Sequence, residues 1–275
     1  MGFTVQGLLD SLALTQAGPG RFIGSNVDMG SSVVFGGQLM AQSIVAACLG
    51  HEGKAAKTLH IVFARTASPD EPVEVVVDPV HSGRTLASST VTISQGERIC
   101  AKSMVLLSAD EQDIIRHADS PVIASDPDEM HGDEEGGWQI RVVGGVDIND
   151  PEAVGPPELD VWNRFVGAPD DRVIGQALLA YATDGFLIGT AMRPHPGVGQ
   201  ALAHKTLSTG VLSHTITFHE PFSAGEWLLL SQRSPYAGCG RSYGRADVFR
   251  RDGQLVASFV QDNMIRAMRT GSAGL

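Results

Sequence analysis

Two polar residues interrupt apolar segments of this chain, at positions where a functional site could lie. Asp184 borders an apolar stripe that returns at helical spacing through Ile174, Leu178, Tyr181 and Ile188. A carboxylate in such surroundings must be hydrogen-bonded or lose solvation free energy, and aspartate is a weak helix former. Because local rules are most often broken at functional sites, Asp184 is a candidate functional residue. The alternative is that it caps a helix break at the following glycine.

The second candidate is Gln261, which lies in the strand-like run LVASFVQ. The period of two along a strand places Phe259, Gln261 and Asn263 on one face. A glutamine inside such an apolar run is unusual for a strand of the core. An exposed edge of the sheet would explain the same residue without any function.

The chain also contains a weak internal repeat, in which residues 58–101 match residues 215–258 at a constant offset of 157. A repeat of this length predicts two copies of one small domain in tandem. The offset pairs Gln261 with Met104, and a separate alignment at offset 139 pairs Asp184 with Val45. In the alignment of the two copies, both candidate residues of the second copy therefore correspond to apolar residues of the first. This predicts one site per chain.

Each copy shows one helical segment followed by strands. The first helix is predicted over residues 34–49, beginning at Gly36-Gly37, and the second passes through Ile174 to Ile188. The predicted strands are 58–64, 73–80, 85–94 and 99–107, then 211–218, 227–234, 243–250 and 254–266. This pattern is typical of an α+β fold in which an antiparallel sheet wraps around a helix.

A charged segment separates the two copies. Residues 110–135 hold ten acidic residues against the single basic residue Arg116. Such a segment is predicted to be a solvated connector. The expected organisation is an N-terminal scaffold unit at 1–109, the connector at 110–135, and a C-terminal unit at 136–275 that carries the candidate catalytic residues.

The composition excludes several classes of protein. A net charge of −11 argues against nucleic-acid binding, and 43% hydrophobic residues are typical of a soluble globular chain. No uninterrupted apolar run approaches the roughly 18 residues of a membrane span. The three cysteines are odd in number and widely spaced, which favours reduced thiols and a cytoplasmic location.

No motif indicates a metal or a cofactor. His214 and His219 are five residues apart in one strand and fall on opposite faces, so they do not form a ligand pair. Gly238, Gly240 and Gly244 resemble a dinucleotide fingerprint, but a strand follows them where a helix is required. We therefore expect neither a metal site nor a bound cofactor.

Five segments, in order along nearly the whole chain outside the connector, resemble the type II acyl-CoA thioesterases, which have a double hotdog fold. They are VFGGQLMAQ (34–42), LAYATD (179–184), FHEPF (218–222), EWLLLS (226–231) and DGQLVASFVQDNMIR (252–266). The resemblance implies an enzyme that hydrolyses fatty acyl-CoA to free fatty acid and CoA without a cofactor. It also implies a homo-oligomer.

In that family an aspartate, a glutamine and a serine or threonine bind the water that attacks the thioester carbonyl. Asp184 and Gln261 match the first two residues of this set. The hydroxyl residue of the family lies three positions before the histidine that is His214 here, and that position is Val211. The resemblance therefore leaves the third member of the site unassigned.

Regular alternation would put Thr209, Val211 and Ser213 on one strand face. Ser213, or Thr209, is then expected to supply a displaced hydroxyl. Because Val211 leaves the site incomplete, a non-catalytic or weakly active acyl-CoA binding or regulatory hotdog protein remains an alternative. A hydratase on the same fold lacks a supporting motif.

The mechanism implied by the resemblance is direct water attack, with Asp184 as base and Gln261 holding the water. Backbone N–H groups at Gly36-Gly37 are expected to stabilise the oxyanion. CoA is anionic, and basic residues gather near the C-terminus. They are either a phosphate-binding patch or solvated strand residues: Arg241, Arg245, Arg250, Arg251, Arg266 and Arg269.

Overall fold

One antiparallel sheet of twelve strands runs through residues 2–268, which are the residues that the computed structural model describes. The helices are α1 (Val5–Leu12), α2 (Gly36–Cys48), α3 (Arg172–Thr183) and α4 (Leu187–Met192). The first six strands are β1 (Thr15–Gly18), β2 (Arg21–Gly24), β3 (Ala55–Phe63), β4 (Val73–Ser82), β5 (Leu86–Gln95) and β6 (Arg98–Ser108). The others are β7 (Trp138–Val142), β8 (Glu158–Phe165), β9 (Leu207–Phe218), β10 (Leu228–Gly238), β11 (Arg241–Arg250) and β12 (Leu255–Ala267).

The order of the strands is symmetric about the centre of the sheet. It reads β1-β2-β4-β5-β6-β3-β9-β12-β11-β10-β8-β7, so each half repeats the other in reverse. At the centre β3 pairs with β9, and Leu59 lies opposite Ile216, its partner at the offset of 157. Two helix-plus-sheet units thus share one continuous sheet, and the predicted α+β double hotdog is confirmed.

Helices α2 and α3 pack against each other and against one face of this sheet. Almost every residue of α2 is buried, as expected for a helix enclosed on all sides. The helical stretch Arg172–Met192 is apolar and long enough to cross a membrane by composition alone, but 78% of its apolar window is buried inside the protein. It is a core helix of this fold.

The second helix is not continuous as predicted. It ends at Thr183, Asp184 is its C-cap, and α4 begins at Leu187. Aspartate and Gly185 are poor helix formers, which explains a break at this point. The prediction of Asp184 in the middle of a helix is therefore wrong, and the prediction of a cap is confirmed.

The offset between the copies changes in the last strand. Ala87 pairs with Leu107, whereas Gly244, its counterpart at offset 157, pairs with Gln261. The structural counterpart of Gln261 is therefore Leu107, at offset 154, and the predicted pairing with Met104 is wrong. The physical reason is that the β11–β12 hairpin is three residues shorter: 17 positions separate Gly244 from Gln261, whereas 20 separate Ala87 from Leu107.

Part of the acidic segment packs on the outer face of the C-terminal half. Its residues Val122, Ala124 and Met130 pack against a small cluster that includes Trp162 and Trp227. The indole N–H of Trp227 also donates to a carboxylate, Asp128 Oδ1, at 2.9 Å. The part of the outer face around Trp162 and Trp227 is thus covered by the chain itself.

Candidate functional site

Asp184 connects the two halves of the molecule. Its side chain is only 7% exposed, and its Oδ2 accepts a hydrogen bond of 2.9 Å from the backbone N–H of Gly37 at the start of α2. Its other oxygen, Oδ1, is buried and has no hydrogen-bond partner among the residues described. A buried carboxylate oxygen without a partner is costly, so it marks a place where a ligand or water belongs.

Burial also changes the acidity of this group. Desolvation raises the pKa of Asp184 to about 7, and the hydrogen bond from Gly37 opposes that rise. A carboxylate with a pKa near ambient pH is suited to accept a proton from water.

The close approach of α2 to Asp184 depends on its two glycines. A Cβ on Gly36 would lie 2.8 Å from Asp184 Oδ2 and 3.1 Å from the ring of Phe63, and one on Gly37 would overlap the carbonyl oxygen of Tyr181. The Gly37 N–H, which we expected to stabilise an oxyanion, instead donates to Asp184. The N-terminal half therefore contributes directly to the candidate site.

Gln261 lies on the inner face of β12 and is 1% exposed, so the interpretation of an exposed edge is wrong. Its Oε1 accepts a hydrogen bond of 2.9 Å from His214 Nδ1, and its Nε2 donates to Asn263 Oδ1 at 2.6 Å. Asn263 Nδ2 in turn donates to Ser242 Oγ at 3.2 Å. The carboxamide is therefore held at both ends, and one N–H of Nε2 remains for another partner.

His214 joins this network to the helix that ends at Asp184. Its Nε2 lies 3.2 Å from the hydroxyl of Thr183, the residue just before Asp184. Burial lowers the pKa of His214 to about 4, so the ring is neutral at pH 7. With the Gln261 amide oxygen turned toward His214, as in this structure, Nδ1 is the nitrogen that carries the ring proton.

A second contact links the segment after Asp184 to β11, the strand that pairs with β12 at Gln261. An added Cβ on Gly244, the cross-strand partner of Gln261, would come within 2.6 Å of the Leu187 side chain. Leu187 begins α4, three residues after Asp184. The Asp184 break and Gln261 are thus linked through Thr183 and His214 on one side and through Leu187 and Gly244 on the other.

Ser213 is not part of this arrangement. A β-bulge in β9 leaves Ser213 opposite Asp262 and Val211 opposite Asn263, with one extra residue between them. Ser213 therefore lies on the outer face, where its hydroxyl donates to Asp262 Oδ2 at 3.1 Å. The prediction that Thr209, Val211 and Ser213 share a face is wrong, because it assumed uninterrupted alternation.

Thr209 and Val211 follow the bulge onto the inner face, opposite Ile265 and Asn263. Sequence reasoning thus missed the network partners of Gln261. The alternation of β12 does place Asn263 beside Gln261, and this was the one available signal. His214, considered from its spacing only as a possible metal ligand, is a hydrogen-bonded member of this network.

The basic residues near the C-terminus do not act as one free patch. Arg250 pairs with Asp252, and Arg251 pairs with Asp126 and Asp128. Arg269 lies outside the described residues. No group of three His, Cys, Asp or Glu side chains within residues 2–268 is arranged to hold a metal ion.

Comparison with known proteins gives consistent results. The chain is 25% identical over 266 residues to acyl-CoA thioesterase 2 of Haemophilus influenzae, covering 89% of this chain and 92% of that protein. It is 26% identical to acyl-coenzyme A thioesterase 8 of Mus musculus, covering 86% and 81%. The solved structure of an acyl-CoA thioesterase II TesB2 from Mycobacterium marinum superposes with a TM-score of 0.81 at 28% identity, covering 97% and 99%.

Family models describe both halves. An acyl-CoA thioesterase N-terminal domain matches residues 24–108, and an acyl-CoA thioesterase C-terminal domain matches residues 117–265. With more than half of its length matched, the fold repeated in both halves and a buried carboxylate at their junction, this chain belongs to the acyl-CoA thioesterase family.

Proposed function

We propose that this protein hydrolyses fatty acyl-CoA thioesters to free fatty acid and CoA by direct attack of water. The observation that carries the proposal is the unpartnered Oδ1 of Asp184 beside the Gln261 network, in a chain of this family. No covalent acyl-enzyme is part of the proposal, because water is the nucleophile.

In the proposed step, Asp184 Oδ1 accepts a proton as the water oxygen forms a bond to the thioester carbonyl carbon. The free N–H of Gln261 orients that water. The tetrahedral intermediate then collapses, the C–S bond breaks, and the proton passes from Asp184 to the leaving thiolate of CoA. The products are one carboxylic acid and one thiol.

We further propose that the acyl chain lies among apolar residues next to Asp184. The ring of Phe63 borders Gly36 together with the carboxylate, which supports an apolar slot reaching the reacting carbon. The division into a scaffold unit at 1–109, a connector at 110–135 and a site-bearing unit at 136–275 stands as part of the proposal, with Gly37 as a contribution of the first unit. The proposal also includes a cytoplasmic location and a homo-oligomeric state. It includes neither nucleic-acid binding nor membrane insertion.

The test is release of CoA thiol from palmitoyl-CoA and shorter acyl-CoAs, measured with a thiol reagent. The wild type should turn over, and Asp184→Ala should lose roughly 100-fold or more in kcat, the usual contribution of a general base. Asp262→Ala is the matched control, since that carboxylate lies on the same strand as Gln261 but on the exposed face. Equal rates for wild type and Asp184→Ala would refute the proposal.

The second candidate is an acyl-CoA binding or regulatory protein, and Val211 in place of a hydroxyl residue favours it. This candidate predicts saturable binding of a non-hydrolysable acyl-CoA analogue together with turnover at the background rate. Measuring binding and turnover on the same preparation separates the two candidates.

A further inference from the structure

Asn263 is a buried carboxamide that the mechanism above does not use. It is 0% exposed and lies opposite Val211, an apolar residue, in the β9–β12 ladder. Its Oδ1 accepts the hydrogen bond from Gln261 Nε2 at 2.6 Å. Burial of an asparagine side chain costs desolvation free energy, and its hydrogen bonds must offset that cost. The partners of Asn263 are therefore informative.

The orientation of the Gln261 amide is what these hydrogen bonds decide. A glutamine amide can turn by half a rotation, which exchanges its oxygen and its nitrogen. His214 presents an N–H on one side and Asn263 presents an oxygen on the other. In the orientation that the structure shows, both neighbours are satisfied and one N–H of Nε2 is left without a partner.

Asn263 is itself held in that orientation. Its Nδ2 donates to the hydroxyl of Ser242, which is 1% exposed, so its oxygen faces Gln261. The order of donors and acceptors is therefore consistent along the series from His214 through Gln261 and Asn263 to Ser242.

We propose that Asn263 is a positioning residue for thioester hydrolysis: by accepting one N–H of Gln261, it directs the other N–H at the attacking water. The proposal rests on the function proposed above. Asn263 acts through Gln261 and does not itself touch the substrate. Although Val211 itself is apolar, its neighbour Asn263 on β12 places a polar carboxamide on this part of the inner face.

The test measures kcat and KM for variants of Asn263 and for a control variant of another buried asparagine in the sheet, Asn163. Asn263→Ala should lower kcat by roughly tenfold to 100-fold, because a misplaced water reacts slowly. The KM for the same acyl-CoA should change by less than about threefold, since substrate contacts remain. Asn263→Asp keeps an acceptor oxygen toward Gln261 and should restore most of kcat.

Asn163→Ala is the matched control. Asn163 is 1% exposed and also donates a hydrogen bond within the sheet, to the carbonyl of Leu228 at 3.2 Å. In the part of the chain described, it has no hydrogen bond to the Gln261 network. It should lower the melting temperature without lowering kcat. If Asn263→Ala does not fold, Asn263→Leu keeps the volume and is expected to show the same loss of kcat.

A kcat for Asn263→Ala or Asn263→Leu within about threefold of wild type would overturn the proposal. So would an equal loss of kcat in Asn263→Asp and Asn263→Ala, because retention of the acceptor would then not matter. A wild type without turnover would instead count against the proposed function, so the two failures are distinguishable.

Discussion

Asp184 has one oxygen held by a backbone N–H and one oxygen without a partner among the described residues. Because burial raises its pKa to about 7, both protonation states are populated near neutral pH. A base with such a pKa takes a proton from water more readily than an exposed aspartate does. The burial that tunes the base also destabilises its charged form.

The pH dependence of hydrolysis should therefore follow Asp184. Only the carboxylate can accept a proton, so kcat/KM for an acyl-CoA should fall about tenfold per pH unit below the pKa of about 7 and level off above it. Initial rates between about pH 5 and pH 9 measure this profile. A profile that stays level down to pH 5 would show that no base with a raised pKa takes part.

Stability should change with pH in the opposite sense. The pKa of Asp184 is higher in the folded protein than the value of about 3.9 of an unfolded chain, so the folded state binds more protons between about pH 4 and pH 7. The wild type therefore loses stability as the pH rises through that window, whereas Asp184→Asn cannot ionise.

The gain in unfolding free energy from Asp184→Asn should be larger at pH 8 than at pH 4, by up to about 4 kcal/mol. Urea unfolding of both proteins at the two pH values measures it. A gain that is the same at both values would mean that Asp184 has an ordinary pKa in the folded state.

The sequence identified Asp184 and Gln261 because each interrupts an apolar pattern. It failed for Ser213, because a bulge of one residue in β9 reverses which side chains face inward. It gave no role to Asn263, since a buried hydrogen bond to Gln261 has no signature in the spacing of residues.

Among the secondary-structure elements, the contact between α2 and the end of α3 matters most for the site. Gly36 and Gly37 let the first turn of α2 approach the backbone of Tyr181 and the carboxylate of Asp184. The positive end of the α2 dipole then lies at the carboxylate, which favours its charged form. This contact holds Oδ2 and leaves Oδ1 for the reaction.

Gly37→Ala should therefore impair both folding and activity. The new Cβ would overlap the Tyr181 carbonyl and come within 2.7 Å of the Phe35 ring, which forces α2 away from Asp184. We expect a loss of about 2 kcal/mol or more in unfolding free energy and a lower kcat, measured by urea unfolding and by thiol release.

Gly175→Ala is the control for this change. Its Cβ would meet its nearest neighbour at 3.9 Å inside α3, so alanine should stabilise the helix by about 0.5–1 kcal/mol and leave kcat near the wild-type value. If the two variants behave alike, the close approach of α2 to α3 is not what holds the site.

The periodicity of apolar residues predicted the positions of the helices and strands. It did not predict the break between α3 and α4 after Thr183. Apolar spacing continues through Leu178 to Ile188 on either side of the break, so the pattern alone predicts one helix. The hairpin between β11 and β12 was misaligned for a similar reason. A constant offset cannot account for a hairpin that is three residues shorter, and the pairing with β11 was needed to equate Gln261 with Leu107.

In the molecule as a whole, two halves of the same fold have different tasks. Gln261 in the C-terminal half corresponds to Leu107 in the N-terminal half, and both are fully buried. At the offset of 139, Asp184 corresponds to Val45, which is apolar and buried. Neither counterpart can act as a base at neutral pH, so one site per chain is expected.

Equivalent substitutions in the two halves should separate stability from catalysis. Leu107→Ala should cost about 2–5 kcal/mol of unfolding free energy through the cavity it leaves, with kcat per folded molecule changed by less than about threefold. Gln261→Ala should lower kcat by roughly 100-fold. A large loss of kcat in folded Leu107→Ala would contradict the assignment of one site to the C-terminal half.

The most direct test of the account is a double-mutant cycle in kcat between Asp184→Asn and Gln261→Ala on one acyl-CoA. If both side chains act on the same water molecule, removing the second after the first should cost little, and the double variant should match the worse single variant within about threefold. If the two losses simply multiply, the side chains act independently, and the shared water that links these two distant parts of the chain does not exist.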